Sequence, residues 1–186
     1  VTDGWKTLHR EELLDCSPWF RVFREEVLLE DGQTVIPDFY QIDAASFAMI
    51  FAVTPDRKVA FIEQYKHAAG RRILELPAGY LDPGEDPLAA ARRELLEETG
   101  MEAPRWHALG VFVKDGNRDC GWCHAYLALD AVKVAEPDSG DLQEQTLHLL
   151  DLDRVRAYWQ SGQCATIDTV AVTGLGLAHL DAQTER

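Results

Sequence analysis

Three glutamates, Glu94, Glu97 and Glu98, stand at i, i+3 and i+4 near the end of the segment Gly79-Tyr-Leu-Asp-Pro-Gly-Glu85-Asp-Pro-Leu-Ala-Ala-Ala-Arg-Arg93-Glu94-Leu-Leu-Glu97-Glu98-Thr-Gly100-Met101. On a helix these spacings share one face. Asp86 suits an N-cap, Pro87 the first helical position and Gly100 the residue just past the end, so the spacing predicts a helix over about 87–99. Leu88, Ala91 and Leu95 form an adjacent apolar stripe that packs inward. Carboxylates in a last turn oppose the helix dipole, and like charges at i, i+4 repel, each effect costing ~0.3–1 kcal/mol. A divalent cation offsets that cost, and an all-oxygen donor set suits Mg²⁺ or Mn²⁺ rather than a soft metal. On a solvated acidic face the same residues would do no chemistry.

The segment fits the pattern Gly-x5-Glu-x7-Arg-Glu-apolar-x-Glu-Glu-x-Gly-apolar at every fixed position, with Leu95 and Met101 as its apolar members. In this it resembles the Nudix hydrolases. The resemblance implies an α/β/α sandwich with a central mixed sheet. It also implies an enzyme, dependent on two or three Mg²⁺ or Mn²⁺ ions, that cleaves a nucleoside diphosphate linked to another moiety. Position by position, Glu94, Glu97 and Glu98 match the metal ligands, and the carbonyl of Ala78 joins them in related enzymes. Glu85 and Arg93 match a pair that holds the loop against the helix; the alternative for that pair is an ordinary surface salt bridge, worth little. Gly79 and Gly84 serve the backbone shape of the loop.

Glu75-Leu76-Pro77-Ala78-Gly79, with Glu63-Gln64-Tyr65-Lys66 upstream, is similar to the ADP-ribose and nucleoside-diphosphate-sugar pyrophosphatase branch over roughly residues 17–180. That similarity implies a homodimer in which N-terminal strands, here residues 17–42, reach to the partner. An adenine ring needs a π-face, and Trp19 is the first choice ahead of Phe39 and Tyr40; the alternative for all three is that they fill the hairpin's core or the subunit contact. Lys66, Arg71 and Arg72 meet the phosphates or are solvated loop charges. The proton from the attacking water needs a carboxylate acceptor. Glu98 could serve directly, but the branch points to the later acidic loop Asp138-Ser-Gly-Asp141-Leu-Gln-Glu144, with Glu144 first and Asp141 second; Asp, Ser and Gly are also ordinary turn formers. After the box, Lys114-Asp-Gly-Asn117-Arg118-Asp-Cys-Gly-Trp122 replaces the proline-containing loop of many ADP-ribose enzymes, so strict ADP-ribose specificity is not implied. Asn117 and Arg118 could contact the distal sugar or phosphate. Dinucleoside polyphosphates or nucleoside triphosphates are the alternative substrates, and a nucleotide sensor without turnover is the alternative function.

The elements that must position these groups follow from patterning. Trp19–Leu29 and Thr34–Ile42 are β-rich runs joined across Asp31-Gly32, a strong hairpin signal. Phe47–Val53, Val59–Tyr65 and Arg72–Leu76 read as the central sheet, with Trp106–Val113, His124–Leu129 and Thr146–Leu149 as later strands. Asp151 or Asp153 caps a helix through Ser161, and Asp168 a last one through Leu180. The expected organisation is an N-terminal β extension over 1–43, dimer-forming, and a Nudix hydrolase domain over 44–186.

A chain of 186 residues, 46% hydrophobic, supports one well-buried core and a small appendage. Its formal net charge of −14 argues against nucleic acid or an anionic membrane as partner, leaving a small nucleotide sugar bridged by metal. No apolar run approaches a membrane span and the first residues are polar, so the expected location is cytoplasmic. Cys16, Cys120, Cys123 and Cys164 are too scattered for a disulfide framework and read as reduced thiols. Cys120-Gly-Trp-Cys123-His124 matches the c-type haem attachment pattern, and a reversible dithiol or a zinc site also fits it. Haem attachment requires export, and His124 opens an alternating core strand.

Overall fold

The computed structural model describes residues 4–140 and 144–184. Its strands are β1 (Lys6–Cys16), β2 (Phe20–Leu28), β3 (Val35–Ala44), β4 (Phe47–Val53), β5 (Lys58–Lys66), β6 (Arg71–Glu75), β7 (Ala78–Tyr80), β8 (Met101–Glu102), β9 (Arg105–Asp115), β10 (Asp119–Leu129), β11 (Val132–Lys133) and β12 (Thr146–Asp151). Its helices are α1 (Pro87–Thr99), α2 (Leu152–Gln160) and α3 (Ile167–Thr184). Two compact units emerge, one comprising residues up to Ser46 with Val113–Trp122, the other Phe47–Phe112 with Cys123 onward.

In the first unit β1, β2 and β3 form an antiparallel ribbon. The β2–β3 turn is closed by the Asp31 carboxylate, which accepts from the Gln33 and Thr34 N–H groups at 2.9 and 2.8 Å. The β1 strand was not expected from patterning. Its side chains are exposed along almost its whole length, so no buried alternation marks it, and cross-strand ion pairs such as Arg24–Glu11 at 2.6 Å run between it and β2.

The second unit is a sandwich built on β4, every residue of which is buried. Strand β4 runs parallel to Cys123–Leu129 of β10 and antiparallel to β7, while β5 pairs antiparallel with β6 and β12. Alternation sends Phe47, Met49, Phe51 and Val53 to a core shared with Val155 of α2 and Val172, Leu177 and Leu180 of α3. The even residues Ala48, Ile50 and Ala52 face the other way, onto Ala90, Ala91 and Leu95 of α1. Small residues on both sides of that second interface let α1 approach the sheet closely. This is the expected α/β/α arrangement around a mixed sheet.

Boundaries differ locally from the sequence reading. Asp168 lies in the first turn of α3 rather than capping it, and Asp151 is the N-cap of α2. Strand β10 begins five residues before His124, through Asp119, Cys120 and Gly121 at φ of 69°, 61° and 83°. Those left-handed residues disguise the strand's start as a turn. The four cysteines are free thiols. Among the described residues no helix is long and apolar enough to cross a membrane.

Candidate active site

Helix α1 starts and stops where its sequence requires. The Asp86 carboxylate accepts from the Leu88 and Ala89 N–H groups at 3.1 and 3.0 Å, Pro87 follows, and Gly100 at φ 69° ends the helix by donating to the Leu96 carbonyl. This frame fixes the azimuth of Glu94, Glu97 and Glu98. Glu98 is buried and accepts the Ala78 N–H at 2.8 Å, which ties the helix end to β7. The Gln145 amide approaches its other oxygen at 3.5 Å. Glu94 lies against the same strand: a Cβ on Gly79 would stand 2.0 Å from its carboxyl carbon. Gly79 therefore leaves the room that the Glu94 carboxylate occupies.

Arg93 organises the near side. Its Nε and Nη2 donate to Glu85 at 3.0 and 2.9 Å, Nη2 also to the Tyr80 carbonyl at 3.0 Å, and Nη1 to Glu94 and Glu97 at 2.5 and 3.1 Å. Glu85 also accepts the Asp82 N–H at 2.9 Å, closing the turn below the helix. Glu85 and Arg93 are thus brought together as expected, in a planar multidentate contact rather than a loose surface pair. Arg93 and then the Asp82 amide hold the Glu85 carboxyl down to about 2. The deeper acids move the opposite way. Burial raises the carboxyl of Glu94, against the pull of Arg93, and burial with the nearby Glu94 and Glu75 charges pushes Glu98 up to about 8.

These groups fit a hard divalent cation by donor type and electrostatics. Three carboxylates share one helix face, the space for Glu94 is kept by a glycine, and Glu98 sits where positive charge is deficient. Among the described residues no three His, Cys, Asp or Glu side chains already converge on one point, and the Arg93 guanidinium bridges Glu94 and Glu97. Holding an ion would require those two side chains to turn from Arg93.

The other residues singled out from sequence are distributed unevenly. Lys66, at the end of β5, is one of the charges that Glu98 feels. Arg72 on β6 donates to the Glu63 carbonyl at 3.1 Å and to the Glu144 carbonyl at 3.5 Å, so its side chain reaches across β5, which lies between β6 and β12, to the residues preceding β12. The Glu144 side chain is exposed, and Asp141 lies outside the described residues. Trp19, 72% exposed, and Tyr40, 47% exposed, belong to the first unit, as does Arg118, paired with Asp115 at 3.8 Å. Phe39 of that unit meets Trp5 edge-to-face at 5.9 Å. Sequence reasoning missed Glu75 and Gln64, two buried polar residues whose contact with each other and with Lys66 depends on the β5–β6 register.

The NUDIX domain family model matches residues 44–163. The chain is 36% identical to the ADP-ribose pyrophosphatase of Mycobacterium tuberculosis over 90% of this chain and 80% of that protein. It is 33% identical to the methanol dehydrogenase activator of Bacillus methanolicus over 66% of this chain and 69% of that one. A solved structure described as an ADP compounds hydrolase superposes with a TM-score of 0.81 over 97% of this chain and 96% of its own, at 19% identity, a likeness of fold. With an unbroken motif on the helix those comparisons cover, the chain belongs to the Nudix domain family.

Proposed function

We propose that this protein is a metal-dependent pyrophosphohydrolase that splits ADP-ribose, or a related nucleoside diphosphate sugar, into a nucleoside monophosphate and a sugar phosphate. The observation that carries the reading is the alignment of Glu94, Glu97 and Glu98 on one face at the end of α1, with Glu98 buried and, among the described residues, without a cationic partner in direct contact. The relatives named as ADP-ribose pyrophosphatases support the substrate class. Residues 44–186 are the hydrolase domain and residues 1–43 a dimer-forming extension, acting in the cytoplasm.

Glu94, Glu97, Glu98 and the Ala78 carbonyl would hold two or three Mg²⁺ or Mn²⁺ ions. Such ions, when bound, neutralise pyrophosphate oxygens and lower the pKa of an attacking water. Arg93 and Glu85 keep the helix end and its preceding turn in register, so the carboxylates need little reorganisation beyond their last torsions. Lys66 and Arg72 take phosphate oxygens by charge-assisted hydrogen bonds. Glu144 accepts the proton of the attacking water, its exposure leaving it free to approach once substrate is seated. Trp19 and Tyr40 offer π-faces to the base, and Arg118 a donor to the distal sugar or phosphate.

The test is a panel of ADP-ribose, other nucleoside diphosphate sugars, dinucleoside polyphosphates and nucleoside triphosphates, incubated with Mg²⁺ and resolved by chromatography. AMP with ribose 5-phosphate from ADP-ribose is the expected result. Turnover confined to polyphosphates would replace the substrate class, and binding without turnover anywhere on the panel would make the domain a sensor.

A further inference from the structure

Glu75 is a buried carboxylate with no part in the chemistry above. It ends β6, is 8% exposed, and its Oε1 accepts both from the Gln64 amide at 2.9 Å and from the Lys66 ammonium at 2.7 Å. The contact follows from register. In the antiparallel β5–β6 pair, Ile62 stands opposite Glu75, Gln64 opposite Ile73 and Lys66 opposite Arg71. Side chains at 62, 64 and 66 share a face of the sheet, and the carboxylate at 75 reaches along that face to the two polar ones.

Packing alone does not ask for an acid there. The neighbouring Ile62 and Ile73 are buried, and an apolar residue at 75 would join them without the desolvation cost of a carboxylate. The acid does, however, anchor an ammonium group. The Lys66 side chain is 43% exposed, so its flexible stem would otherwise sample many rotamers. Held by Glu75, its head is tied to a residue three positions before Ala78, whose N–H the Glu98 carboxylate accepts at 2.8 Å. Gln64, 7% exposed, fixes the carboxylate in turn.

We propose that Glu75, itself fixed by Gln64, is a positioning residue that holds the Lys66 ammonium at the edge of the carboxylate site, where it takes an oxygen of the substrate's pyrophosphate. The inference rests on the reading of Lys66 given above. Ordering the lysine before substrate arrives removes an entropic cost from binding. The role therefore lies in substrate affinity rather than in bond cleavage.

The test is a double-mutant cycle on Glu75→Gln and Lys66→Met, with Gln64→Met as a second route to the same carboxylate. Two readouts are taken: kcat and KM for ADP-ribose, and calorimetric affinity for inorganic pyrophosphate in Mg²⁺. Each of E75Q and K66M should weaken pyrophosphate binding and raise KM about 10-fold, with kcat within about 2-fold, and the double variant should match K66M alone. Q64M should give a smaller rise in the same direction. Additive losses, a fall in kcat with KM unchanged, or tighter pyrophosphate binding in E75Q would overturn the role. If E75Q folds poorly, Q64M decides, and an unchanged KM in it counts against the proposal. The pyrophosphate readout needs no turnover. A non-additive pattern in a protein inert toward ADP-ribose would keep the Glu75 role and remove the substrate reading, whereas active wild type with additive variants would do the reverse. A wild type that fails to bind pyrophosphate would remove both.

Discussion

Replacing Glu98 by Gln should stabilise the metal-free protein, and by an amount that grows with pH. The side chain is buried at the end of α1, its ordinary pKa of 4.5 is raised to about 8, and the leading cause is burial. Between these values the folded state binds a proton that the unfolded state has released. The stability this group contributes is therefore fully present below pH 4.5 and is lost as pH rises toward 8. Each pH unit in that window is worth about 1.4 kcal/mol, so the wild type loses about 3 kcal/mol between pH 4.5 and about pH 7 on account of this group. A glutamine keeps the shape and still accepts the Ala78 N–H, but cannot ionise. For a chain of this length the difference corresponds to roughly 6–12 °C in Tm. The assay is thermal unfolding by circular dichroism in chelator, wild type beside E98Q, from about pH 5 to about pH 8. The gap should widen steadily with pH and close when saturating Mg²⁺ is added, because a bound cation stabilises the ionised carboxylate. Parallel curves for the two proteins, or a gap that Mg²⁺ leaves untouched, would refute the reasoning.

Other perturbations separate space, backbone and chemistry. Gly79→Ala would put a Cβ 2.0 Å from the Glu94 carboxyl carbon, the far end of a flexible side chain; steady-state kinetics should show kcat/KM down about 100-fold while Tm moves by only a few degrees. Gly100→Ala forces an L-residue to φ 69° with its Cβ 2.1 Å from the Ala135 carbonyl oxygen, a backbone atom that cannot turn aside, so urea denaturation should show a loss of at least ~2 kcal/mol. Glu144→Gln should depress kcat about 100-fold with little change in KM and remove the acidic limb of the pH–rate profile; an unchanged profile would move the proton acceptor elsewhere.

The parts of the molecule that were legible in the sequence are those whose determinants are local. Asp86, Pro87 and Gly100 each state a boundary of α1 by their own backbone chemistry, and the predicted 87–99 span is the one observed. The apolar runs of β4 and β5 announce buried strands because both faces of β4 are covered. Strand β1 was silent for the converse reason. Its charged residues face solvent and it is held by pairing with β2, in a register with irregularities between Thr7 and His9 and between Glu12 and Leu14. Arg93 was legible as a partner of Glu85, but not as a bridge to Glu94 and Glu97, since that requires knowing the rotamer that the Tyr80 carbonyl selects. The Glu75–Gln64–Lys66 contact was hidden because it joins two strands whose register no single segment encodes.

The acidic end of α1 is the proposed metal site for pyrophosphate cleavage, and loss of Mg²⁺ dependence there would remove the proposed activity with it. The most direct measurement is the initial rate of AMP release from ADP-ribose as Mg²⁺ is titrated into chelator-stripped protein, wild type beside E98Q. A stripped wild type without activity, saturable recovery with Mg²⁺, and a variant more than ~100-fold slower at every concentration are the predicted results. Hydrolysis that ignores Mg²⁺, or an E98Q variant that matches wild type, would contradict the assignment.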